Sequence, residues 1–276
     1  MIRRRLRCSD GRPRISGALV AGAFMALVLV GCGDNGPIAA APSPTTTTAV
    51  TTSTAPSASS TTTPPDPAYL NRVAISLGAL PSVQIHDGPA GAVTQQIANP
   101  NEHGVPTVFL VKTHDVPDAT GALWHEVYLP VKPNGSTGWV AAADVELQTN
   151  TVRLGVHRRD HQLTYTKDGV LVATYPIAVG KTGTETPIGL YFIKELLQPN
   201  DPGGSYGPYA YGLSGFASSV DLGAQFGDGV IGIHGTNEPS KVGTDVSHGC
   251  IRLRNVDITA LVDAQLPLGT PVDILD

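Results

Sequence analysis

Two short histidine-bearing segments near the C-terminus carry the residues best suited to chemistry. The first reads Ile233-His234-Gly235-Thr236, and the second reads Ser247-His248-Gly249-Cys250-Ile251-Arg252. A thiol becomes a strong nucleophile when a neighbouring imidazole takes its proton. These segments therefore predict a sulfur nucleophile, Cys250, that is activated by a histidine.

The spacing leaves two histidines open as the base. His248 precedes Cys250 by two residues, and in a strand both side chains would share one face. His234 follows the apolar run 230–233, which predicts a strand. If that strand lies beside the one that carries Cys250, His234 also comes close to the thiol.

The two segments resemble the signature of L,D-transpeptidases with a YkuD-type catalytic domain, and the resemblance extends from about Thr151 to the C-terminus. Arg252 stands where some members of that family have asparagine and others arginine, so the subfamily stays open. Further matching positions are Asn255, Gly183, Thr186-Pro187-Ile188-Gly189 and Tyr191-Phe192.

The resemblance implies a role for each residue. Cys250 is the nucleophile, and His234 accepts its proton and later protonates the departing amine. The Gly235 carbonyl orients the imidazole. Backbone amides around His248, Gly249 and Cys250 hold the oxyanion of the tetrahedral intermediate.

Further side chains are candidates for shaping the site or binding substrate. His248 is expected to shape the site and help position substrate, and Ser247 is grouped with it as a positioning residue. Arg252 is expected either to bind a substrate carboxylate or to form a structural ion pair. Tyr209 and Tyr211 lie in the Gly- and Pro-rich stretch 198–219, which predicts either a binding flap or an insertion with packing tyrosines.

The implied reaction is transpeptidation on peptidoglycan stem peptides. Cys250 would attack the bond after the third, L-configured centre of a tetrapeptide and release D-alanine. An amine of a second stem would resolve the acyl-enzyme and form a cross-link, whereas water would make the protein an L,D-carboxypeptidase.

The N-terminus predicts export and lipidation. A basic head precedes the apolar run 15–30, as in a secretory signal, and the run ends in Leu29-Val30-Gly31-Cys32, which resembles a bacterial lipobox. We expect a signal peptide over 1–31, a lipid on Cys32 and a disordered Pro/Thr/Ser spacer over 32–67. The protein would then lie on the outer face of the cytoplasmic membrane and reach into the wall; an uncleaved anchor or a plain secretory signal are the alternatives.

The cysteine count indicates that Cys250 has no disulfide partner, and the net charge limits the classes of binding partner. The chain has three cysteines; Cys8 falls in the signal and Cys32 takes the lipid, which leaves Cys250 unpaired. The formal net charge is -5, and six of the positive charges belong to the signal. This acidic balance argues against nucleic acid as a partner.

Strand patterns dominate the rest of the chain and predict a mainly β protein. Residues 68–148 predict a small β-barrel, and the segments around Trp124 and Trp139, two expected core residues, resemble bacterial Src-homology-3-like domains. Residues 149–276 predict a β-rich catalytic domain. One helix is expected there, with Asn255 as its N-cap and Pro267 near its end.

Three other functions are compatible with parts of the pattern. His234, His248 and Cys250 could bind Zn²⁺, although a fourth ligand in motif spacing is lacking. A papain-like peptidase or amidase would place the nucleophile on a helix, and a non-catalytic wall-binding lipoprotein would bury Cys250 as a structural thiol. The prediction is an enzyme without cofactor or metal.

Overall fold

A computed structural model of the chain describes residues 69–217 and 229–276. The predicted signal peptide, the lipidated Cys32 and the spacer lie outside the described residues. Within the described ranges, no helix has the length and apolar character needed to cross a membrane.

Seven antiparallel strands form the first sheet, in the order β3-β2-β6-β5-β4-β1-β7. Alternating apolar residues face one buried cluster that includes Val83, Ile85, Phe109 and Val127. The expected resemblance to Src-homology-3-like barrels stays a prediction. The strands are β1 Asn71–Ser76, β2 Ser82–His86, β3 Val93–Ala98, β4 Val108–Pro117, β5 Leu123–Tyr128, β6 Thr137–Ala141 and β7 Val145–Asn150.

Eight strands form the second sheet, in the order β10-β9-β8-β17-β12-β13-β14-β16, and a separate parallel pair joins β11 to β15. The strands are β8 Val152–His157, β9 Gln162–Lys167, β10 Val170–Pro176, β11 Val179–Gly180, β12 Gly189–Leu197, β13 Ala210–Phe216, β14 Val230–His234, β15 Asp245–Ser247, β16 Ile251–Arg252 and β17 Pro271–Leu275. One α-helix, α1 Asn255–Asp263, packs Ile258 and Leu261 into the core of this sheet. Over residues 69–217 and 229–276, the prediction of a mainly β protein with one helix near the C-terminus is confirmed.

The stretch 198–219 is only partly a loop, contrary to expectation. Residues 210–216 form β13, a central strand between β12 and β14. Its glycines are required by close packing rather than by turns, because a Cβ at Gly212 would collide with Glu195 and one at Gly215 with the ring of Tyr191. Residues 170–180 form two strands rather than one, since β10 ends at Pro176 and β11 pairs with β15.

The expected N-cap was misplaced by one residue. The helix begins at Asn255 and its N-cap is Arg254, whose side chain makes no capping hydrogen bond. Asn255 Oδ1 instead accepts a hydrogen bond from the backbone N–H of Thr236, 2.8 Å away. The asparagine therefore supports the segment after His234 rather than the end of its own helix.

The two sheets share buried contacts. Val73, Val108 and Leu110 of the first sheet pack against Phe192 of β12. Asn134, in the turn between β5 and β6, donates to the carbonyl of Phe216 at 2.8 Å and accepts from its N–H at 2.9 Å. The first sheet therefore touches the segment that leads from β13 toward the candidate site.

Candidate active site

His234 and Arg252 share one face of the sheet, and Cys250, which immediately precedes β16, lines the same small cavity as both. Strands β14 and β16 pair in parallel, with Ile233 opposite Ile251 and His234 opposite Arg252. Because both isoleucines are fully buried in the core, the residues next to them in sequence point to the other face. The strand pairing expected from the apolar run 230–233 is present, and it brings His234 beside the nucleophile segment.

The imidazole of His234 is buried and held in one tautomer. Its Nδ1 lies 2.6 Å from the carbonyl oxygen of Gly235. A carbonyl only accepts, so Nδ1 carries the proton and Nε2 keeps its lone pair. The pKa of His234 is lowered to about 4, mainly by burial and to a smaller extent by the nearby Arg252 guanidinium, while the Gly235 hydrogen bond opposes the shift.

The turn after His234 is fixed from two sides. The N–H of Gly235 donates to the carbonyl of Tyr209 at 3.2 Å, and Thr236 donates to Asn255 as described above. The Asn255 amide lies so close to Gly235 and Gly207 that a Cβ on either would collide with it. The Gly235 carbonyl is therefore held in the position that orients the imidazole.

The thiol of Cys250 is a free, partly buried group. Burial raises the pKa of Cys250, while a hydrogen bond from the N–H of Gly232 and the positive charge of Arg252 lower it. With the pKa of the thiol raised and that of His234 lowered, the resting pair at neutral pH is a thiol and a neutral imidazole. Proton transfer then belongs to the reaction itself and is not completed beforehand.

The nucleophile sits on a tight turn, not on the strand that was expected at residues 248–250. Strand β15 ends at Ser247 and β16 starts at Ile251. The buried Ser247 hydroxyl donates to the Cys250 carbonyl at 2.6 Å and accepts from the Gly249 N–H at 3.1 Å. The premise that His248 and Cys250 share a strand face was therefore wrong, although both residues line one small cavity.

Gly249 is required by its backbone conformation and by its neighbour. Its φ is +118°, a value that L-residues rarely adopt, and a Cβ there would lie 3.1 Å from the Cβ of Ala217. Ala217 follows Phe216, the residue that Asn134 of the first sheet holds by two hydrogen bonds. The wall behind the nucleophile turn thus depends on a contact between the two sheets.

The contacts of Arg252 are compatible with both a structural role and a substrate-binding role. Its guanidinium is 3.4 Å from the exposed carboxylate of Glu238, which makes a weak ion pair. Its Nε is buried without a hydrogen-bond acceptor among the described residues. The side chain keeps donor capacity at the edge of the site.

Two depressions meet at His234, Cys250 and Tyr206. The larger one, of about 480 Å³, extends along β13 and β14 to charged side chains from both sheets. The smaller one, of about 190 Å³, is lined by Ser205, Ser247, His248 and Arg252 in addition to the three shared residues. The nucleophile is therefore open on two sides.

Tyr209 and Tyr211 were expected to bind substrate, but it is Tyr206 whose ring lies against His234. Tyr211 is fully buried in the core and its hydroxyl donates to the Leu261 carbonyl at 3.4 Å, so its phenol does not face substrate. Tyr209 is partly buried and supports Gly235 through its backbone. The ring centroid of Tyr206 lies 4.7 Å from that of His234. Sequence reasoning missed Tyr206 as a site residue, although its place in the Gly-rich stretch was the available signal.

The zinc constellation is not assembled. Among the described residues, the metal-ligating groups that lie within 4.8 Å of one another are Glu102, His103 and Glu195, which also line the larger depression. His234, His248 and Cys250 do not form such a group. The peptidase alternative placed the nucleophile on a helix, whereas Cys250 lies between a turn and a strand.

The family model and the curated relatives that match this chain are all described as L,D-transpeptidases. Residues 151–274 match the YkuD family of L,D-transpeptidase catalytic domains. YqjB of Bacillus subtilis, which carries the L,D-transpeptidase name, is 32% identical over 132 residues, covering 44% of this chain and 69% of YqjB. YkuD of Bacillus licheniformis, named likewise, is 42% identical over 130 residues, or 47% of this chain.

The chain spans 62% of the length of the B. licheniformis relative. Among solved structures, L,D-transpeptidase 3 from Mycobacterium tuberculosis aligns over 74% of this chain and 99% of its own. That alignment has a TM-score of 0.39 and 14% identity.

Proposed function

The chain belongs to the L,D-transpeptidase family, and from this we propose that it cross-links peptidoglycan stem peptides through an acyl-enzyme on Cys250. The observation that carries the proposal is the parallel pairing of β14 with β16, which puts His234 and Cys250 in one depression. A cysteine, a neutral imidazole and a carbonyl that orients it are the parts that thiol acyl transfer needs.

Acylation begins when the sulfur attacks the carbonyl carbon of the third residue of the donor stem, whose amide nitrogen belongs to the terminal D-alanine. His234 Nε2 takes the thiol proton as the C–S bond forms. The resulting imidazolium gives that proton to the nitrogen of the leaving D-alanine as the C–N bond breaks. A thioester on Cys250 remains, and the base is neutral again.

The oxyanion is held by backbone amides of the nucleophile turn. The N–H of Gly249 already donates to Ser247 Oγ, so it would have to leave that acceptor to serve. The amides of His248 and Cys250 are the other candidate donors in this turn. Each donor in such a site typically contributes about 10²- to 10³-fold in rate.

Two openings at Cys250 favour transfer to an amine over hydrolysis. The larger depression, of about 480 Å³, would take the peptide donor, and the smaller one offers Arg252 and His248 to an incoming stem. The amine attacks the thioester, His234 takes its proton, and the thiol is restored. The same route with water gives the L,D-carboxypeptidase activity, which is the second candidate function.

The placement of the enzyme is part of the proposal. A signal over 1–31, a lipid on Cys32 and a spacer over 32–67 would hold it on the outer face of the membrane within reach of the wall. Residues 68–148 would form an accessory β domain and residues 149–276 the catalytic one. A metabolic lipid label that appears on the wild-type chain and not on Cys32→Ser would support this arrangement.

Product analysis tests the reaction directly. We expect the purified chain, given a stem tetrapeptide, to release D-alanine and to form a dimer whose mass is two donors less one D-alanine. Tripeptide without dimer would identify the carboxypeptidase instead. Neither product, and no thioester on the intact protein, would contradict the proposal.

The buried base predicts an unusual pH profile. The imidazole accepts a proton only when it is neutral, and burial lowers the pKa of His234 to about 4. We therefore expect acylation to stay active as the pH falls through 6.5, the usual histidine value, and to be lost as it falls through about 4. This acidic limb of the pH profile is measured as the single-turnover rate of thioester formation at each pH.

A carboxyl group of the substrate also titrates near pH 4 and could produce the same loss of activity. A substitution at Arg252 distinguishes the two groups. The positive charge of Arg252 lowers the pKa of His234. Arg252→Met should therefore move the limb to higher pH if His234 is the titrating group. A limb that keeps its position in this variant would belong to the substrate.

A further inference from the structure

The larger depression ends at a cluster of charged side chains to which both sheets contribute. Glu102 and His103 come from the loop between β3 and β4, and Lys194 and Glu195 come from β12. All four line the same depression as Cys250 and His234. We call these four residues the charged cluster.

Glu195 organises the charged cluster. Its carboxylate is 3% exposed, and its Oε2 accepts hydrogen bonds from Asn101 and from His103 Nδ1, each 2.8 Å away. Its Oε1 lies 3.3 Å from Lys194 Nζ. A buried carboxylate with this many partners has little capacity left for a ligand, so its role is to fix the others.

Lys194 and Glu102 keep capacity for a ligand. The Nζ of Lys194 lies 3.3 Å from Glu195 and 3.6 Å from Glu102, both longer than a typical charge-assisted hydrogen bond. Glu102 is 64% exposed, and a hydrogen bond to its own backbone lowers the pKa of its carboxyl, so it is ionised at neutral pH. Lys194 is 15% exposed, so this pair is solvated only on the side of Glu102, and an entering ligand can displace the Glu102 carboxylate into water.

We propose that Lys194 and Glu102 bind a zwitterionic amino-acid head group at the end of a substrate side chain, its carboxylate on Lys194 and its ammonium on Glu102. Opposite charges that lie side by side match a ligand that carries both charges on one carbon. This inference rests on the proposed function, in which a donor stem occupies the depression that Cys250 shares with the charged cluster. It makes the first sheet part of the substrate site.

A divalent cation fits the charged cluster less well. Glu102, His103 and Glu195 lie close enough to share a metal ion. However, the ammonium of Lys194 lies against both carboxylates. Its positive charge opposes a second cation there.

Three donor peptides test the assignment. They carry the free head group, the same group with its amine acetylated, or the same group with its carboxyl amidated. We expect the wild-type chain to use the free donor with a kcat/KM about 10-fold above either blocked donor, as for loss of one charge-assisted hydrogen bond. Glu102→Gln should remove the preference over the acetylated donor, and Lys194→Met the preference over the amidated one.

Matched controls separate binding from fold. Glu146→Gln on β7 and Lys167→Met on β9 change exposed charges outside the depression and should keep both preferences. Lys194→Arg keeps the charge and should keep the preference over the amidated donor. If Lys194→Met does not fold, the Glu102→Gln variant, which changes an exposed side chain, still tests the proposal.

The contradicting outcomes are distinct. Equal use of all three donors by the wild-type chain would refute the head-group site and leave the transpeptidase proposal standing. A Glu102→Gln variant that slows all donors by the same factor would show a structural role alone. No D-alanine from any donor with the wild-type chain would instead refute the proposed function.

Discussion

Cys250→Ala is expected to release no D-alanine above background, a loss of at least about 10⁴-fold. The described part of the chain offers no second thiol beside His234, and the imidazole has no other nucleophile to activate. The fold should persist, because the turn is held by the Ser247 hydroxyl and by the backbone of residue 250. We expect the unfolding temperature of the variant to stay within a few degrees of the wild type.

Mass spectrometry of the intact protein checks the same variant. The wild-type chain should gain the mass of a stem tripeptide acyl group, and Cys250→Ala should gain none. Cys250→Ser is the matched control, since its hydroxyl is a far weaker nucleophile at neutral pH and should acylate only in trace amounts. Continued D-alanine release by Cys250→Ala would place the nucleophile elsewhere and end the proposed mechanism.

The central geometry of the site follows from local sequence patterns. An apolar run that ends in His234, and Ile251 directly after Cys250, define two short buried strands. Two such strands in one β domain can pair, and pairing puts their non-core residues on one face. This strand pairing could be predicted, because it depends only on the alternation of buried and exposed residues along each strand.

The supports of the site depend on contacts that no local pattern records. Asn255 has the residue type and place of an N-cap, yet its amide is used by Thr236, 19 residues earlier. Gly212 and Gly215 indicate a loop by composition, yet they lie in β13, where the side chains of Glu195 and Tyr191 fill the space that a Cβ would need. Tertiary packing decided these positions.

The contribution of the first sheet was equally hidden in the sequence. His103 and Glu195 are 92 residues apart, and Asn134 and Phe216 are 82 apart. Neither pair belongs to a motif, and each is a polar contact between loops and strands of different sheets. Such contacts follow from the way the two sheets pack, which hydrophobic periodicity does not determine.

His234→Ala is expected to slow acylation by about 10²- to 10⁴-fold, the usual contribution of a general base. His248→Ala should slow it by about 10-fold or less. The reason is geometric, because His234 is buried, has its tautomer fixed by Gly235 and lies on the strand paired with the nucleophile segment. His248 lies on the turn and lines only the smaller depression.

Single-turnover rates of thioester formation distinguish these variants without interference from the acceptor step. His234→Gln is a useful companion, since it restores a polar side chain but no base and should remain as slow as His234→Ala. His248→Gln should recover most of the small loss if His248 only positions groups. A larger loss in His248→Ala than in His234→Ala would assign the proton transfer to the turn histidine, and the pairing of β14 with β16 would then serve the fold rather than the chemistry.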